Sequence, residues 1–243
     1  MVAMSQPSRP TAIAPVWHTV IILFILAGIA ALGLFSGTPG QEQAIRMASP
    51  EKLSRVRIIS YGLTIAYQWV VVLVIWFGLH LRKVKFASLF GDAGAGMGVV
   101  LRDLGLAIGF VVAANLVLIG LISGLQLKQS GELAALMPHG TLEMALFLAV
   151  AGTAGICEEI IFRGYLQKQF AAWSGRMGVA VVAQAVIFGL GHIYQGWQMV
   201  PVLGVYGLMF GALAWWRKSL RPGIFAHVLH DGLAGLAFAL LMR

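Results

Sequence analysis

The chain has 243 residues, of which 59% are hydrophobic and only 11% charged, and its mean hydropathy is +0.87. Soluble domains carry about a quarter charged residues, so an ordinary water-soluble globule is excluded and a membrane chain is indicated. The net charge of +8 does not point to nucleic acid, because Lys and Arg sit in short loops between apolar runs and form no basic face with interleaved aromatics.

A spanning helix needs about 20 mostly apolar residues to cross a hydrocarbon core about 30 Å thick. The first 15 residues are polar and proline-bearing and are expected to form a cytoplasmic tail. No small-residue cleavage site stands behind the first apolar run, so that helix is expected to be retained. Apolar runs then appear at about Val16 to Phe35, Ile58 to Leu79, Leu104 to Leu125, Leu142 to Ile161, Met177 to Ile193, Met199 to Trp216 and Gly223 to Met242. They predict an all-α polytopic transmembrane bundle of about seven spans, with three N-terminal spans in 16–125 and a separate C-terminal region, 142–242. SGTPGQEQ starts a loop at Ser36, and SPEKLSRVR reads as a short interfacial helix opened by Ser49 and Pro50. The glycine-rich DAGAGMG, Asp92 to Gly98, follows no strand and is therefore a loop rather than a dinucleotide fingerprint. With the N-terminus inside, 11 of the 17 Lys and Arg fall on the cytoplasmic side, although Arg46, Lys52, Arg55 and Arg57 crowd one external loop.

An ionised side chain at the bilayer centre costs about 2.5 to 3.5 kcal/mol on insertion scales, so intramembrane ionisable residues are functional candidates. The chain has nine acidic residues and six histidines, and Glu158, Glu159, His192, His227, His230 and Asp231 all lie in or beside C-terminal apolar runs. The first three runs hold little beyond His18 and Asn115. In CEEIIFRG, Cys157 to Gly164, Glu159 and Arg163 are i, i+4 neighbours with the acid first, the favoured ion-pair order. Glu158 points about 100° away from them, so one carboxylate neutralises the arginine and the other is free for chemistry. A salt-bridged helix end explains this motif equally well when it stands alone. In FGLGH, Phe188 and His192 share a helix face, and the two glycines between them permit a neighbouring helix to approach; a lone histidine at a span end is more often interfacial or core. In HVLHD, three ionisable groups fall within five residues of a spanning helix, with His227 and Asp231 on one face, and packing is a poor explanation for them. Cys157, the single cysteine, excludes an internal disulfide and is more naturally a buried small hydrophobe than a nucleophile. Trp215 and Trp216 fit an interfacial belt.

The succession Glu158-Glu159-Ile-Ile-Phe-Arg163, Phe188-Gly-Leu-Gly-His192 and His227-Val-Leu-His-Asp231 resembles the EExxxR, FxxxH and HxxxN/D motifs of the CPBP family, the type II CAAX prenyl endopeptidases and their Abi-like relatives. Each motif is loose alone, and the three in order are specific. The resemblance covers 142–242 and implies a catalytic transmembrane region there. It implies that Glu158 is the general base which, with His192, activates a water, that Glu159, Arg163 and Phe188 support the site, and that His227 and Asp231 hold the substrate carbonyl oxygen. This chain has Asp231 where many relatives have Asn. An ionised aspartate has only acceptors, so near a developing oxyanion Asp231 is expected either to carry a proton and donate, or to orient an imidazole that does.

Elementary chemistry agrees with the resemblance. Water attacks a peptide only when a base takes its proton, a carboxylate in a low-dielectric pocket is a stronger base than one in water, and no serine lies in the three motifs. The expected function is therefore an intramembrane endopeptidase of the bacterial inner membrane, acting in the bilayer on a peptide or protein substrate, lipidated or not, with no cofactor, no metal and no nucleic acid. A zinc metallopeptidase built from His192, His227 and Glu158 is the alternative enzyme, although HExxH is absent, and loss of activity on chelation distinguishes it. A non-catalytic membrane adaptor or immunity protein would be indifferent to Glu158→Gln. A proton-coupled transporter would use the same groups as relays but ordinarily shows internal repeats, and none is found.

Overall fold

Apolar runs of bilayer length become helices in chain order. The computed structural model describes residues 11–34, 43–44, 47–91, 96–127 and 134–241. Its helices are α1 (Val16–Gly33), α2 (Pro50–Leu81), α3 (Met97–Gly124), α4 (Thr141–Glu158), α5 (Gln167–Ser174), α6 (Met177–Gly191), α7 (Met199–Arg217) and α8 (Arg221–Leu241), and a π-helical segment, Glu159–Leu166, joins α4 to α5. No strand occurs among the described residues. Residues 1–10 of the tail, Met242, and much of the loops expected from Ser36 and from Asp92 lie outside the described residues.

Among the described residues, six stretches are long and apolar enough to cross a membrane, with α4, the π-helical segment and α5 forming one 34-residue unit. The chain is thus an integral multi-pass membrane protein. The expected fifth span differs: α6 has 15 residues, about 22 Å at 1.5 Å per residue, which is short of the hydrocarbon core. It packs in a hairpin with α7, and the approach depends on Gly189, where a Cβ would meet the carbonyl oxygen of Val200. A second difference is that SPEKLSRVR is no separate interfacial helix. The Ser49 hydroxyl accepts from the Lys52 amide at 3.3 Å, Pro50 begins the first turn, and the helix continues unbroken to Leu81. Serine capping followed by proline starts a helix here rather than bounding a short one.

The unit 141–174 is the centre of the bundle. In its most apolar window 44% of residues are buried, against 17%, 28% and 22% for α1, α2 and α3, whose Phe24, Leu73 and Leu116 face outward. Every residue of the π-helical segment is buried. Buried polar contacts tie the outer helices to this centre. The Gln169 side chain accepts from the amides of Ile13 and Ala14 (3.0 and 3.3 Å) and donates to the Ala14 carbonyl (2.8 Å). His18 Nε2 donates to the Val74 carbonyl, so Nδ1 accepts from the Tyr165 hydroxyl, both at 2.8 Å. His18 is therefore a structural link between α1, α2 and the centre.

The two ends of the bundle carry buried ion pairs. Arg57, one of the charges crowding the external loop in the sequence, is 6% exposed and grips Glu143 through Nε–Oε2 (2.6 Å) and Nη2–Oε1 (3.0 Å). Its charge is neutralised by this pair between α2 and α4. At the other end Asp103 of α3 pairs with Arg217 (2.9 Å) and Arg221 (3.4 Å).

Candidate active site

The glutamate pair straddles the change from α-helix to π-helix: Glu158 ends α4 and Glu159 opens the wider turn. π-helical turns are rare and concentrate at functional sites, because they re-aim side chains relative to a regular helix. Glu159 and Arg163 form the ion pair expected of their spacing, Nη1–Oε1 at 2.9 Å, with both side chains fully buried. The Arg163 guanidinium lies between the rings of Phe188 and Phe210, 4.6 and 4.9 Å from their centroids, and Nη2 donates to the Gly207 carbonyl at 3.3 Å. Two aromatic faces and a carbonyl replace the water such a cation would otherwise demand. Phe188 therefore acts as a wall for the arginine, consistent with the supporting place the motif gives it.

Glu158 is held differently. Its Oε1 accepts from the Gln68 side-chain amide of α2 at 3.0 Å, while Oε2 is buried with no hydrogen-bond partner among the described residues and lies 3.7 Å from His227 Nε2. Gln68 belongs to none of the three motifs, and sequence reasoning passes over it. A lone amide inside the apolar run from Ile58 to Leu79 was the available signal, since a polar group buried there, as Gln68 is at 1% exposure, needs a partner.

His227 is the hub. Its Nδ1 is 3.4 Å from Glu159 Oε1, and its Nε2 faces Glu158 Oε2 at 3.7 Å and Asp231 Oδ2 at 3.8 Å. The close approach of α8 depends on Gly223, whose Cβ, if present, would stand 2.7 Å from Glu159 Oε2. Asp231 is the most open of the three carboxylates, with 31% of its side chain exposed. His230 turns away to α3, where the Asn115 amide donates to its Nδ1 at 3.2 Å.

His192 caps the C-terminus of α6. Its Nδ1 donates to the Phe188 carbonyl at 2.8 Å, so the neutral ring carries its lone pair on Nε2. It joins the cluster through its ring, 4.5 Å from that of Phe188, and among the described residues its polar partner is that carbonyl. Of the two motif glycines only Gly189 admits a neighbour; Gly191 has open space around it. Cys157 is fully buried in the core. Among the described residues, no three His, Cys, Asp or Glu side chains are grouped as a metal site.

The three motifs thus converge from α4, the π-helical segment, α6 and α8, with a fourth contribution from α2. A multi-pass helical membrane protein thus gathers a carboxylate pair, an arginine and two histidines from helices distant in the chain. Residues 140–233, which include all three motifs, match the family model described as type II CAAX prenyl endopeptidase Rce1-like, and this match supports the CAAX protease family for that part of the chain. The match leaves α1, α2 and α3 uncovered. No curated protein and no solved structure matches the chain.

Proposed function

We propose that the protein is an intramembrane glutamate-dependent endopeptidase of the bacterial inner membrane, with 142–242 as its catalytic region. The observation that carries this reading is the asymmetry of the glutamate pair. Glu159 is fully buried and its Oε1 is paired with Arg163, whereas Glu158 is 14% exposed, with one oxygen fixed by Gln68 and the other directed at His227. A carboxylate fixed by one oxygen and open at the other is suited to accept a proton from water.

In the proposed step, Glu158 Oε2 takes a proton from a water that His192 Nε2 helps to orient, and the water oxygen adds to the scissile carbonyl carbon. The carbonyl electron pair moves to its oxygen, which His227 and Asp231 stabilise. Collapse then breaks the C–N bond, and Glu158 returns its proton to the departing amine. Both nitrogens of His227 face carboxylates, so the imidazolium form satisfies them. With Arg163 it makes two cations against three carboxylates, and a proton on Asp231 brings the cluster to neutrality. This is the cheaper state inside a bilayer, and it makes Asp231 a donor.

That charge state predicts the behaviour of Asp231. The wild type should lose activity as rising pH removes the donated proton, whereas Asp231→Asn donates without one and should keep substantial activity and extend it to higher pH. Asp231→Leu should be nearly inactive. The check is kcat against pH for the three folded proteins; an Asn variant as inactive as the Leu variant at every pH would replace the donor role by an ionised, imidazole-orienting one.

The substrate class consistent with the family is a membrane-associated peptide cleaved near its C-terminus, lipidated or not. Cells carrying Glu158→Gln in place of the wild-type protein should accumulate uncleaved membrane peptides, read by mass spectrometry of membrane fractions. An unchanged peptide profile in that strain, with the variant present at wild-type level, would count for the adaptor.

A further inference from the structure

Tyr206 lies on α7, facing the cluster, and belongs to none of the three motifs. It is 4% exposed, and its ring lies 5.0 Å from His230, 6.4 Å from His227, 6.4 Å from Phe188 and 4.8 Å from Phe210. Its hydroxyl is buried without a hydrogen-bond partner among the described residues. Leaving a buried hydroxyl unpaired costs stability, and phenylalanine would fill the same aromatic packing without that cost. Two other phenols show the contrast: Tyr61 donates to the Leu136 carbonyl at 2.6 Å, and Tyr165 bridges Thr19 and His18. At Tyr206, beside the carboxylates and histidines, two circumstances coincide: a buried donor without a partner among the described residues, and a place where a carbonyl oxygen would gain negative charge.

We propose that Tyr206 is a further catalytic residue, its hydroxyl donating a hydrogen bond to the substrate carbonyl oxygen as the tetrahedral intermediate forms. The inference rests on the endopeptidase function proposed above. No proton is transferred: when water adds to the carbonyl carbon and its proton passes to Glu158, the carbonyl electron pair moves to oxygen, and the phenol O–H, with His227 and Asp231, stabilises that charge. An unpaired donor fixed by its ring costs no reorganisation when the charge appears, which is what makes such groups effective.

The test uses the full-length protein in proteoliposomes with two fluorescence-quenched probes, a peptide ending in a farnesylated Cys-aliphatic-aliphatic-X sequence and the same peptide without the prenyl group. Tyr206→Phe is expected to lower kcat by about 100-fold, the loss typical of one oxyanion donor, with melting temperature unchanged or raised. Because the bond forms only in the transition state, KM should stay within about twofold while affinity for a peptide aldehyde, whose hydrate mimics the intermediate, falls in parallel with kcat. A Tyr206→Phe protein with wild-type kcat beside an inactive Glu158→Gln protein overturns the role of Tyr206 and leaves the endopeptidase standing. Loss of activity accompanied by a lowered melting temperature and a raised KM overturns it in favour of packing. Undiminished turnover by Glu158→Gln, or no turnover of either probe by the wild type, overturns the endopeptidase and this inference with it.

Discussion

Purified Glu158→Gln protein is expected to insert and melt like the wild type while its turnover drops by about 10²- to 10⁴-fold, the contribution typical of a general base. The structural half follows from Gln68. A glutamine at 158 retains one carbonyl oxygen, which can accept the same amide hydrogen bond that Oε1 accepts at 3.0 Å, so α2 and α4 stay tied. The catalytic half follows from the other oxygen. An amide nitrogen at the position of Oε2 has no lone pair to accept a proton, and it presents donors to His227 where a carboxylate stood 3.7 Å away. Turnover in single-turnover and steady-state assays, together with melting in detergent, measures both halves. Wild-type turnover in the folded variant would transfer the base to another group, with Glu159 excluded only so long as it stays paired to Arg163.

The opposite pattern is expected when the Glu159 and Arg163 pair is broken. Both side chains are fully buried, and removing one member leaves the other charge uncompensated, a loss of about 3 to 5 kcal/mol for fully buried pairs. Arg163→Ala adds a void between Phe188 and Phe210, so its expected loss is the larger. Low yield, a melting temperature many degrees below wild type, and activity lost in proportion to folded protein are the expected results. Replacing both residues, as Glu159→Gln with Arg163→Met, should recover part of the stability, because no charge is then stranded. If the single variants are instead stable and inactive, both residues belong to the catalytic set rather than to its support.

The sequence was sufficient wherever a property depends on neighbours along one helix. Membrane character, the places of the long apolar helices and the pairing of Glu159 with Arg163 follow from composition and from residues three or four apart, since a helix fixes that geometry by itself. The three motifs were legible for the same reason: each lies within a few residues of one helix, and the cost of placing its ionisable groups in a bilayer is enough to mark it. What periodicity could not give was contacts between helices. Gln68 looks like an isolated amide in α2 until α4 brings Glu158 against it, Arg57 looks like a loop charge until Glu143 meets it, and Tyr206 looks like one of several aromatic fillers until α8 sets two histidines beside its ring. The length of α6 and the continuity of α2 were decided by packing and capping, which hydropathy does not weigh. The π-helical turn was hidden as well, because a single inserted residue in the hydrogen-bond register leaves the apolar pattern unchanged. Local helical order lists the candidate groups; only tertiary packing decides which carboxylate is neutralised and which remains open, because that depends on partners distant in the chain.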